Sequence, residues 1–253
     1  MFYKFKDDIF FITQVPAISH KQSCITSSST PTEPKNERMN MINKDDYIFL
    51  RDRYAHIASW TIWDKAPIGE EKTKRNIGGL EWCSDEEALI QHIHGKYVFV
   101  AANPYNKETI TKQIEKHESG LIWGSNFHSS WRFANDHKLR YATAGTEMEG
   151  CYITDLIKDI QSRDVKSLKE EMKKNPSKLE KDIDIFKEEI VHLSDNPIII
   201  ALGNDVYDWL KPLCEEDEYR VFKMHHFSYR FISIDDYKKE TLDIINQCRS
   251  ITE

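Results

Sequence analysis

Two runs in the chain, KYVFVAA at 96–102 and PIIIAL at 197–202, are apolar at every position after the first. A strand with one wet face alternates polar and apolar residues. A continuous apolar run, too short for a helix and rich in β-branched and aromatic residues, must be covered on both faces. GCYITDLI at 150–157 and YRVFKM at 219–224 read as two further strands. Helical segments stand between and around them. SDEEALIQHIHG at 84–95 has a Ser84 cap, acids in its first turn and a stop at Gly95. DHKLRYATAG at 136–145 ends on Gly145, and Pro176 splits the charged stretch 162–193 into two helices. The second of these carries Leu179, Ile183, Phe186 and Ile190 on one stripe, with its charges read as a solvated face. NDVYDWLKPL and IDDYKKETLDIINQCRSI complete the set. Strands separated by helices predict an α/β fold around a four-stranded parallel sheet.

In such a sheet the loops at the carboxyl ends of the strands form the ligand crevice. Four segments should emerge there: Asn103-Pro104-Tyr105, Thr154-Asp155, the Gly203 turn, and His225-His226-Phe227-Ser228. The chain offers few other chemistries. It has no GxGxxG, no Gly-Lys-Ser/Thr phosphate loop and no GxSxG elbow. His92 and His94 lie two apart, His225 and His226 are adjacent, and the five cysteines form no CxxC pair, so neither a metal nor a cofactor is expected. The odd, irregular cysteine set suggests reduced thiols in a cytoplasmic protein. No run is long and apolar enough to suggest a membrane span.

An amide beside a neutral imidazole suits one reaction class. Asn103 can position a water, and His226 can donate a hydrogen bond to developing negative charge. That pairing fits N-glycosidic cleavage, in which the sugar becomes oxocarbenium-like and the base leaves as an anion.

These segments, in this order, resemble the uracil-DNA glycosylase superfamily, closest to its mismatch-specific uracil/thymine branch. AANPYN resembles that branch's Gly-Ile-Asn-Pro motif, GCYITDLI its Gly-x-x-Ile-Thr-x-Leu segment, and HFS at 226–228 the classical His-Pro-Ser. The likeness spans residues 96 to 248. It implies a three-layer α/β/α domain and a monofunctional DNA glycosylase acting on a flipped base, with DNA as partner, no cofactor and a monomeric state. It also implies roles: Asn103 and His226 catalytic, Tyr105 walling the base's C5 edge, and Phe127 (Trp123 second) stacking on the base. Thr154 and Asp155 then lie where the base is read, and Ser228 is placed either to clamp a phosphate or to bond its own loop. Three departures stand out. Ala102 precedes Asn103, HFS lacks the proline, and Asp155 stands near where the classical enzymes read uracil with an Asn. A carboxylate accepts a hydrogen bond from cytosine's exocyclic amine, which widens the target from uracil or mismatched thymine to a modified cytosine. No Lys is expected beside Asn103 and His226, so no Schiff-base step is expected. Repair and attack on modified foreign DNA, as in phage defence, are both compatible with these roles.

The net charge of −7 points away from non-specific nucleic-acid binding. Against it, 103–143 holds Lys107, Lys112, Lys116, Arg132, Lys138 and Arg140 as a modest basic strip that would face DNA. The other readings of the same chain are a non-catalytic nucleic-acid or nucleotide binding module and a nucleoside or nucleotide hydrolase. Residues 1–45 read as a polar, disordered leader and linker, with Met39 and Met41 as alternative starts and 46–253 as one domain. Trp60 and Trp63 read as packing of an N-terminal element.

Overall fold

The computed structural model describes residues 41–63, 66, 68–73, 86–103, 123, 127–128, 135–160, 165–215 and 218–250. The chain divides into Met1–Lys35 and Asn36–Glu253, and every described residue belongs to the second unit. Among them are five strands: β1 (Ser59–Trp60), β2 (His94–Ala101), β3 (Cys151–Asp155), β4 (Ile198–Leu202) and β5 (Val221–Met224). The helices are α1 (Lys44–Tyr54), α2 (Glu86–Ile90), α3 (Asp136–Thr143), α4 (Val165–Lys174), α5 (Pro176–Ile190), α6 (Asn204–Glu215) and α7 (Ile234–Ser250).

The strands form one sheet in the order β1-β3-β2-β4-β5. β3, β2, β4 and β5 are mutually parallel, and β1 runs antiparallel to β3. The α/β expectation therefore holds, with a fifth, two-residue edge strand that the sequence reading lacked. β1 is brought in by Trp60, which is fully buried and meets Tyr152 edge-on at 4.8 Å between ring centroids.

The apolar runs are explained by helices on both faces. Val98, Val100, Tyr152, Ile199 and Ala201 join Tyr47 and Leu50 of α1, Leu168 of α4, Phe186 and Ile190 of α5 and Leu210 of α6 in one buried cluster. Tyr97, Phe99, Ala101, Ile153, Ile200 and Leu202 join Leu139 of α3 and Tyr237, Ile244 and Ile245 of α7 in the other. Each fully buried Leu, Ile or Phe contributes about 1.5–3 kcal/mol. Local signals set the helix ends. The Asn43 side chain accepts from the Asp46 N–H at 2.9 Å to open α1. Pro176 occupies the first turn of α5, where its missing N–H costs nothing.

One helix is shorter than its sequence suggests. α2 stops at Ile90, and Gly95 lies inside β2 rather than ending a helix. A Cβ built on Gly95 would fall 1.8 Å from the Leu193 carbonyl oxygen, so this glycine serves a close backbone approach. Gly95→Ala is expected to destabilise the domain by roughly 1–3 kcal/mol through this overlap. Urea denaturation would show a lower midpoint; an unchanged midpoint would mean that the turn at Leu193 gives way freely.

Candidate active site

α3, the described helix between β2 and β3, packs on one face of the sheet, and α6, which follows the adjacent β4, packs on the other. A crevice opens outside the carboxyl ends of two strands whose connections diverge in this way. Asn103 follows β2, and Gly203 follows β4. His226 follows β5, the next strand over, so Asn103 and His226 follow the same end of the sheet, on strands two spacings, or about 10 Å, apart.

Asn103 is half-buried, and its Nδ2 donates to the Ile160 carbonyl at 3.1 Å. The loop that supplies this carbonyl is latched over the end of β2: Leu156 N–H donates to Ala101 O at 2.8 Å and Ile157 N–H to Ala102 O at 3.0 Å. Fixing the donor end of the amide fixes the direction of Oδ1, the acceptor that positioning a water requires.

His226 shows its protonation state through its partners. The Ser228 backbone N–H donates to its Nδ1 at 3.1 Å, and the Ser228 Oγ lies 2.7 Å from the same nitrogen. A backbone N–H can only donate, so Nδ1 is the acceptor and the proton of the neutral ring sits on Nε2. Solvent reaches part of the residue, yet protein atoms surround the ring closely enough that desolvation pushes its pKa down to about 4. His226 also stands beside Gly203, whose φ is +101° and whose hypothetical Cβ would lie 4.0 Å from the His226 Cβ. Ser228 thus bonds the imidazole of its own loop.

This burial has a thermodynamic sign. Above pH 6.5 the ring is neutral in both folded and unfolded chains. As pH falls from 6.5 toward 4, only the unfolded chain takes up the proton, so the fold loses stability. We expect a loss of about 1–2 kcal/mol across that window, after allowing for solvent at the ring. His226→Ala should flatten that part of the stability curve relative to wild type, and equal slopes would contradict the assignment.

The other expected residues divide. Asp155 ends β3, is 1% exposed, and pairs in register with Ala101. Alternation along β3 places it on the face of Ile153, where Phe127 and Phe227 also lie. Phe127 is buried and meets Phe227 edge-on at 6.4 Å. Trp123 belongs to the opposite face, where its Nε1 donates to the Tyr47 hydroxyl at 3.1 Å. Thr154 also turns away from Asp155, and its hydroxyl donates to Glu189 at 2.9 Å. Tyr105 lies outside the described residues, as do Lys107, Lys112, Lys116 and Arg132 of the expected basic strip. Lys138 and Arg140 of that strip are buried instead. Lys138 Nζ donates to the carbonyls of Tyr229 (2.7 Å) and Ile232 (3.0 Å), and Arg140 to those of Glu71 and Thr73.

Sequence reasoning missed two features near the crevice. Lys158 Nζ donates to Asp155 O at 2.8 Å and lies 2.5 Å from Glu189 Oε2, tying the latched loop to α5. Glu189 is fully buried although it was read as part of a solvated face. Its spacing held the signal, since it lies three residues after Phe186 and beside Ile190 on the inward stripe. Among the described residues no three His, Cys, Asp or Glu side chains are grouped to hold a metal ion, and no helix is long and apolar enough to cross a membrane. Compared with family models, curated proteins and solved structures, the chain matches none.

Proposed function

We propose that this chain is a monofunctional DNA glycosylase that hydrolyses the N-glycosidic bond of a flipped pyrimidine, on a three-layer domain of the uracil-DNA glycosylase type. The observation that carries the reading is the His226 ring. Its Nδ1 is occupied by the Ser228 N–H, which leaves Nε2–H as a donor at the edge of the sheet that also bears Asn103. In the reaction a water held by Asn103 bonds to the anomeric carbon. The C–N bond breaks with its electron pair going to the base, and Nε2–H stabilises the charge that collects on the departing ring. Water's surplus proton returns to solvent. Asp155, buried at the end of β3, suits an exocyclic amine, which favours a modified cytosine over uracil.

The test is base release. Oligonucleotides carrying uracil, mismatched thymine or modified cytosines are incubated with the protein, single-stranded and duplex, and abasic sites are cleaved with alkali. Release from at least one substrate is expected. Intact strands in every case would overturn the reading.

A further inference from the structure

The loop between β5 and α7 displays aromatic rings that the fold does not use. Phe231 is 89% exposed and Tyr229 is 44% exposed, and they are the two aromatic residues among the large exposed apolar side chains described. Their rings touch at 5.6 Å between centroids, inclined by 66°. Tyr229 stacks in turn on His225 at 5.1 Å and 20°. Leaving such surface in water is unfavourable, and large exposed apolar groups that cluster mark interaction sites.

The loop is also held rigidly. Buried Lys138 grips the carbonyls of Tyr229 and Ile232, Tyr229 N–H donates to His226 O at 2.8 Å, and Glu240 accepts from the His225 backbone N–H at 3.1 Å. A loop backbone fixed in this way reduces the entropy lost when a flat partner stacks on its rings. Gripping a duplex requires cations for two backbones. Among the described residues, Lys138 is spent on carbonyls and Lys72 is paired with Asp235, while Lys223, Arg230 and Lys239 are exposed. A stacking ring needs an open base plane, which a duplex keeps covered and a single strand offers.

We infer that His225, Tyr229 and Phe231 form a stacking platform for single-stranded DNA, taking bases that flank the one presented to His226. The choice of DNA rests on the glycosylase reading; the stacking itself does not. The test is fluorescence anisotropy with a labelled pyrimidine-rich DNA strand, alone and annealed to its complement. The free strand should bind at least about tenfold tighter than the duplex. Phe231→Ala and Tyr229→Ala, both at exposed positions, should each weaken strand binding by roughly 5- to 150-fold. Phe231→Leu should lose nearly as much, and Phe231→Trp should retain binding and change its emission on titration.

Duplex binding as tight as strand binding would overturn the proposal. So would a Leu variant as good as wild type, which would indicate a general apolar contact, or tighter binding of an RNA strand of the same sequence. Base release is measured on the same preparation. Ring-dependent strand binding without release from any substrate would support the platform while removing the glycosylase reading.

Discussion

Replacing Glu189 with alanine is expected to cost the fold about 3–5 kcal/mol and to lower the thermal midpoint by roughly 6–20 °C. The carboxylate is fully buried between α5 and β3. Its Oε1 accepts from the Tyr152 hydroxyl at 2.8 Å and the Thr154 hydroxyl at 2.9 Å, and Lys158 Nζ lies 2.5 Å from Oε2. Burial, and then the charge of Glu189, hold the Tyr152 phenol far above its usual range, so it remains a donor. Alanine would leave two hydroxyls without their acceptor and a mostly buried ammonium without its counter-charge. Removing one partner of such a pair is far worse than removing both. The double variant Glu189→Leu, Lys158→Met should therefore recover the part of the loss that comes from the stranded ammonium, while the two hydroxyls still lack their acceptor. Thermal or urea unfolding decides it, and a Glu189→Ala protein as stable as wild type would mean that the pair contributes nothing. The same lysine binds Asp155 O at the root of the loop whose Ile160 carbonyl holds Asn103. Any base-release activity should therefore weaken in parallel.

The sheet was legible because its physics is local. Five consecutive buried residues in β4 leave no room for an alternating pattern, and Pro176 could only begin a helix. What escaped the sequence depends on contacts distant along the chain. Gly95 looks like a helix stop until Leu193 approaches it from 98 positions away. The two residues of β1 carry no periodicity, and only their pairing with Tyr152 and Ile153 defines them. Lys138 counted as one more surface cation until the carbonyls of Tyr229 and Ile232 enclosed its ammonium. At the site, strand order brought Asn103 and His226 to one edge as the sequence suggested. Thr154 and Asp155 could not both serve there, because neighbouring strand residues point to opposite faces. The role of Ser228 was hidden because it depends on which nitrogen of His226 its backbone reaches.

On whichever substrate releases its base, Asn103→Ala and His226→Ala should each lower kcat by about 10²–10³, with KM little changed. Both groups act on charge and geometry that appear only as the bond breaks, so their loss falls on the transition state. His226→Gln, which restores a donor, should recover part of the rate. The pH profile separates this role from a merely structural one. The pKa of His226 is pushed down to about 4, and its Nδ1 is held by a backbone donor that cannot switch roles. The ring therefore stays neutral at pH 6.5, and kcat/KM should show no inflection of His226 origin there. Below pH 5 the rate should fall with a midpoint near 4, because protonating Nδ1 breaks the Ser228 contact and buries a charge. An inflection near pH 6.5 that disappears in His226→Gln would show a ring that titrates freely. In that case the imidazole would act as an ordinary solvent-exposed acid, and the neutral-donor mechanism would fail even if base release were observed.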